Sequence, residues 1–152
     1  PTSGAVKSAP VDPKDGIQRD ATDAIIGAFA DGERRATAVL PGGAGKTVLG
    51  LRVAEGLAAR GELETALVLV PSIDLVSQTL RDWRRRGAWP DDAWRALAVV
   101  SSVSEDVART TDPTEIARFV SGGGRRVLFC TYHSAGRVAA AADGGAAKER
   151  SE

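Results

Sequence analysis

Three glycines in four positions, Gly42, Gly43 and Gly45, interrupt the chain in the segment Leu40-Pro41-Gly42-Gly43-Ala44-Gly45-Lys46-Thr47. A backbone turns that tightly only where side chains are missing. The run before it, Ala36 to Leu40, has the composition of a buried strand. After it Val48, Leu49, Leu51, Val53, Leu57 and Ala58 recur at helical spacing, and Arg60-Gly61 closes the pattern. A strand, a glycine loop and a helix in that order turn several backbone N–H groups inward and set the positive end of a helix dipole behind them. That is a cradle for phosphate. Lys46 adds a movable charge for β- and γ-phosphates, and the Thr47 hydroxyl suits Mg²⁺. Gly42, Gly43, Ala44, Gly45, Lys46 and Thr47 are therefore the candidate nucleotide-binding residues. Lys46 is the one lysine between Lys14 and Lys148 in an arginine-rich chain, which sets it apart from a general basic surface.

The rest of the chain alternates strands and helices. Residues 1–16 read as a flexible leader. Ile17, Ala21, Ile25, Ala28 and Phe29 predict a helix to Ala30, stopped by Asp31-Gly32. Ala66 to Val70 is a continuous apolar strand of the kind buried on both faces of a parallel sheet. Ser72 caps a helix running to about Arg85, with Ile73, Val76, Leu80 and Trp83 as its inner stripe. Ala96 to Val100 gives a third strand. Asp112-Pro113-Thr114-Glu115 starts a short helix ending near Val120, and Gly122-Gly123-Gly124 leads into a strand from Val127 to Thr131. Residues 139–152, alanine-rich and then charged, are expected to fray. The fold class expected is α/β, three layers around a mainly parallel sheet with right-handed crossovers.

Composition narrows the function. At 152 residues the chain allows one domain, and 20 basic against 20 acidic residues leave no net charge to draw it to nucleic acid or anionic lipid. Any nucleic-acid contact needs a local patch. Cys130 is the only cysteine, so disulfides within the chain and cysteine zinc sites are excluded, and a reducing cytoplasm is expected. No apolar run approaches the roughly 20 residues of a spanning helix, so no membrane partner is expected. His133 stands alone, without a metal cluster, and Ser101, Ser102 and Ser104 lack a neighbouring histidine and acid. Trp83, Trp89 and Trp94 among Arg81, Arg84, Arg85 and Arg86 fit a base-stacking patch, but fit better a solvated helix end whose tryptophans close the core.

The loop, with leucine where a glycine commonly starts it, resembles motif I of superfamily-two helicases, in particular type III restriction-enzyme helicase subunits and DEAD/DEAH-type translocases. Gln18-Arg19-Asp20-Ala21 resembles the element by which that family reads adenine, although Asp15-Gly16 stands where Arg-Pro is usual. Pro71-Ser72-Ile73-Asp74-Leu75-Val76-Ser77-Gln78 resembles motif Ia, and Thr131-Tyr132-His133-Ser134 the Thr-Tyr-x-Ser stretch. The resemblance implies a RecA-like P-loop domain over residues 17–138, incomplete on its C-terminal side. It implies ATP and Mg²⁺ as cofactors, with Gln18 at the base and Lys46 and Thr47 in catalysis. It also implies DNA, or RNA, held weakly at Pro71, Ser72, Gln78, Thr131 and Tyr132. The Asp-Glu-x-His acids that hold the metal and water in the family do not occur in these 152 residues, and a second motor domain is absent from them. Turnover by this polypeptide alone is expected to be low.

Two other readings compete. A complete small P-loop kinase would match the length but leaves the motif Ia pattern unexplained. A non-catalytic nucleotide-binding interaction module would use an exposed sheet edge for self-association or for a partner.

Overall fold

The computed structural model describes residues 13–43, 45–87 and 94–149. The chain divides between Val53 and Ala54 into two units. The first holds α1 (Pro13–Ala30) and the beginning of α2 (Lys46–Ala59), with irregular chain between them. Helix α1 starts four residues before the position expected, taking in Gly16. Proline in a first turn sacrifices no hydrogen bond, because that N–H has no intrahelical acceptor, and Asp15 favours the same turn.

Ala36–Leu40 does not form the expected strand. These residues carry no ladder, and Val39 is 91% exposed. Strand propensity is realised only against a neighbouring backbone, and the described residues of the first unit contain no other strand. The glycine stops behave as expected. At Gly32 (φ +95°) and Gly61 (φ +71°) the chain turns left-handed. Gly61 N donates to Ala58 O at 3.0 Å and Glu62 N to Leu57 O at 2.9 Å, the pair of bonds that closes a helix C-terminus.

The second unit is built on a parallel sheet. In chain order its elements are β1 (Thr65–Val70), α3 (Ile73–Arg86), β2 (Trp94–Val99), β3 (Ala108–Arg109), α4 (Pro113–Ser121), β4 (Arg125–Thr131) and α5 (Ala135–Glu149). The sheet order is β1-β4-β2-β3, with every pair parallel. Helices lie on both faces, giving the three layers expected. On one face Leu97, Val99, Leu128 and Cys130 pack with Ile116 of α4 and Ala141 of α5. On the other, Trp83 of α3 meets Phe129 edge-to-face, ring centroids 5.3 Å apart. Trp83 and Trp94 are thus core residues, while Trp89 lies outside the described residues.

Over residues 139–149 the chain continues α5, where alanine is the best helix former and Ala141 finds cover against the α4 side of the core. One expectation is corrected here. Strand β1 is not buried on both faces. Among the described residues it pairs only with β4, and Leu67 and Leu69 remain 45% and 42% exposed. None of the described helices is long and apolar enough to cross a membrane.

Candidate functional site

In the first unit the glycine loop delivers the chain into α2. Gly43 (φ +75°) and Gly45 (φ +83°) are both left-handed, a backbone state in which other residues are strained. Gly45 O accepts the first helical bond, from Leu49 N at 3.0 Å, so Gly45 caps the helix that Lys46 begins. Behind this turn Val48, Leu49 and Leu51 are buried, while Lys46 is exposed and Thr47 half-buried. Ala44 lies outside the described residues.

Gln18 comes to the same place from α1. A Cβ on Gly45 would overlap the Gln18 side-chain amide nitrogen. Only glycine leaves that room. Gln18 also lines a groove of about 370 Å³ with Asp15, Arg19, Thr22, Asp23 and Arg52. Its position is steadied by its own turn of helix, where Thr22 Oγ1 donates to Gln18 O at 2.7 Å. The first unit thus gathers a polar groove, a glutamine amide and a left-handed glycine loop at a helix N-terminus. A nucleoside polyphosphate needs those groups: polar contacts for a base, free N–H groups for phosphate, and a lysine. The glycine backbone and Thr47 fit Mg²⁺–nucleotide as a bound group.

In the second unit Pro71, Ser72, Thr131 and Tyr132 lie at the C-terminal edge of the sheet, where ligands of open α/β sheets bind, while Gln78 lies further along α3. Ser72, in extended conformation, caps α3, its Oγ accepting from Leu75 N at 3.3 Å. Pro71 and Gln78 are exposed. Val70 and Thr131 are registered partners, and Tyr132 N donates to Val70 O at 3.0 Å. Parallel pairing therefore brings Pro71–Ser72 and Thr131–Tyr132 side by side from opposite halves of the unit. They differ in accessibility. Thr131 is buried and its Oγ1 accepts from Ser134 N at 3.2 Å, whereas Tyr132 is 60% exposed. Cys130 is fully buried, and desolvation raises its thiol pKa, which makes it an inert core residue.

Sequence reasoning missed Arg126, which is 1% exposed at the start of β4. An arginine pair before an apolar run reads as a solvated strand end, and only the packing around it shows otherwise.

The model of the family described as "Type III restriction enzyme, res subunit" matches residues 15–150. The chain belongs to that family. Among solved structures, this chain is similar to a nuclease-deletion mutant of the type ISP restriction-modification enzyme LlaGI, in complex with a DNA substrate mimic. The TM-score is 0.74 at 26% identity, over 91% of this chain and 14% of that one. The ATP-dependent type ISP enzyme LlaBIII bound to DNA shares the fold, with TM-score 0.69 at 24% identity over 91% and 10% of the two chains. No curated protein sequence matches. The res-subunit fold is thus the RecA-like fold of a superfamily-two helicase N-terminal domain, and the chain spans a small part of the structural relatives' length.

Proposed function

We propose that the chain binds ATP–Mg²⁺ as part of an ATP-dependent DNA-translocating motor. Gly42, Gly43, Ala44 and Gly45 offer backbone N–H groups to the phosphates, Lys46 their counter-charge, and Thr47 a hydroxyl to the metal. Gln18 reads the base. The observation that carries this reading is the close fit of the Gln18 amide against left-handed Gly45, which joins the base-reading residue to the phosphate loop.

A DNA backbone is held at Pro71, Ser72, Gln78 and Tyr132, with Thr131 acting through the turn it stabilises. Support comes from the registered pair Val70 and Thr131, from which Pro71–Ser72 and Tyr132 continue, and from the DNA bound to the two enzymes of like fold. In the intact motor, nucleotide binding closes the domain on a second one, and hydrolysis reopens it. The test is titration of a fluorescent ATP analogue with Mg²⁺ into the wild-type chain and Lys46→Ala. Binding weakened at least tenfold in the variant is the expected result. Equal affinity would reject the site.

A second reading concerns association. Leu67 and Leu69 on the outer strand β1 favour pairing with another strand, since an apolar edge invites one. Sedimentation of wild type against Leu67→Lys tests it, with the wild type expected to be the larger species.

A further inference from the structure

Two arginines, Arg95 and Arg126, meet at the N-terminal ends of β2 and β4, the end of the sheet opposite Ser72 and Tyr132. Arg95 and Arg126 are registered partners on adjacent strands. By strand alternation they share the face of Leu97 and Leu128, where α4 packs. Like charges placed side by side in a sheet repel. Arg126 is also buried: its Nη1 donates to Gly124 O at 3.1 Å, but its Nη2 has no hydrogen-bond partner. No carboxylate pairs with it among the described residues. A buried, uncompensated guanidinium is unfavourable unless an anion offsets it.

Beside it lies a groove of about 380 Å³, with Arg95, Arg109 and Arg118 along it and Leu97 and Phe119 in its lining. Gly122 forms part of the wall, and a Cβ there would stand 2.9 Å from Arg126 Nη2. The buried guanidinium thus sits directly behind the groove. Arg95 and Arg118 are exposed, while Arg109 is held by Nη1 donating to Ser101 O at 2.6 Å. Glu115 is the one acid among the described lining residues.

We propose that this groove is a second oxyanion site, separate from the glycine loop, which takes phosphate groups between Arg95 and Arg118. Arg126 supplies a fixed positive charge through the Gly122 wall. Guanidinium forks match phosphate oxygens in pairs, and a phosphate monoester brings about 1.5–2 negative charges. A diphosphate group therefore matches the excess of arginine over acid better than a single carboxylate does. The groove's size suits such a small anion. The phosphates come either from a free diphosphate or from a nucleic-acid strand.

The experiment uses the Lys46→Ala chain, so that the glycine loop does not contribute, and follows thermal unfolding with inorganic pyrophosphate or a short single-stranded oligonucleotide. Saturating pyrophosphate is expected to raise the midpoint by roughly 5 °C, as linkage predicts for a ligand in about 100-fold excess over its Kd. Arg95→Gln combined with Arg118→Gln, both at exposed positions, is expected to abolish the rise. Gly122→Asp brings a carboxylate to Arg126 at an ordinary φ of −68°, with the end of the guanidinium shifting to admit a Cβ that would otherwise stand 2.9 Å from Nη2. It is expected to raise the midpoint without pyrophosphate and to cancel pyrophosphate's effect. An oligonucleotide that binds more tightly than pyrophosphate, and loses that advantage in the double variant, supports the proposal and assigns the phosphates to a strand. No shift with either probe, a shift that survives the double variant, or tighter binding of a polyglutamate peptide overturns it.

Discussion

The side-chain amide of Gln18 occupies the space that a Cβ on Gly45 would fill. A helix and a loop far apart in sequence are thereby made to fit at one atom's width. Gly45→Ala therefore introduces two faults: an overlap with Gln18 and a side chain at φ +83°. Strain of this kind costs about 1–3 kcal/mol. We expect analogue binding to weaken at least tenfold in a titration, with the midpoint of unfolding lowered by a few degrees. The double variant Gln18→Ala/Gly45→Ala relieves the overlap but not the backbone strain, so it should recover part of the stability and none of the base recognition.

Trp83 and Phe129 hold α3 on the sheet through an edge-to-face contact. Both are almost fully buried. Phe129→Ala should cost about 3–5 kcal/mol, a loss visible as a lower denaturant midpoint. Since Ser72 caps α3, displacement of the helix should also weaken oligonucleotide binding in a fluorescence anisotropy titration.

Asp112 accepts from Thr114 N at 2.9 Å and caps α4. Asp112→Ala should cost about 1 kcal/mol, and Asp112→Asn much less, because the amide oxygen replaces the lost acceptor. Denaturant melts of the two variants provide the check.

The Cys130 thiol, raised by desolvation, stays protonated in the folded chain at pH values where an unfolded chain ionises. A raised folded value means its contribution to stability is complete below the unfolded pKa, near 9.0, and is lost as pH rises beyond it. Stability measured from pH 8 to 10.5 should fall more steeply for wild type than for Cys130→Ala. A thiol reagent at pH 7.5 should react only on unfolding.

Local chemistry was legible in the sequence and long-range pairing was not. Ser72, Asp112, Gly32 and Gly61 each act within a few residues of themselves, and each ends or begins a helix where its side chain, or lack of one, requires. The glycine loop likewise leads into α2 at Lys46. Ala36–Leu40 and Ala66–Val70 are equally apolar runs, yet the first is not a strand and the second is a half-exposed one. Whether such a run forms a ladder depends on partners that its own residues do not encode. The same limit hid Arg126, whose burial is produced by the chain around it. Over residues 139–149 the alanines outweigh Gly144 and Gly145 and the helix continues.

Among the described residues, β4 is the last strand in chain order and has neighbours on both sides in the sheet. Among the described residues β1 has no other partner, and β2 has only the two residues of β3 besides it. As the polypeptide leaves the ribosome, β1 and β2 must wait for Arg125–Thr131 to emerge before they share a sheet. Folding of this unit is then gated by loop closure over long sequence separations, which makes it slow and favours chaperone capture of the nascent chain.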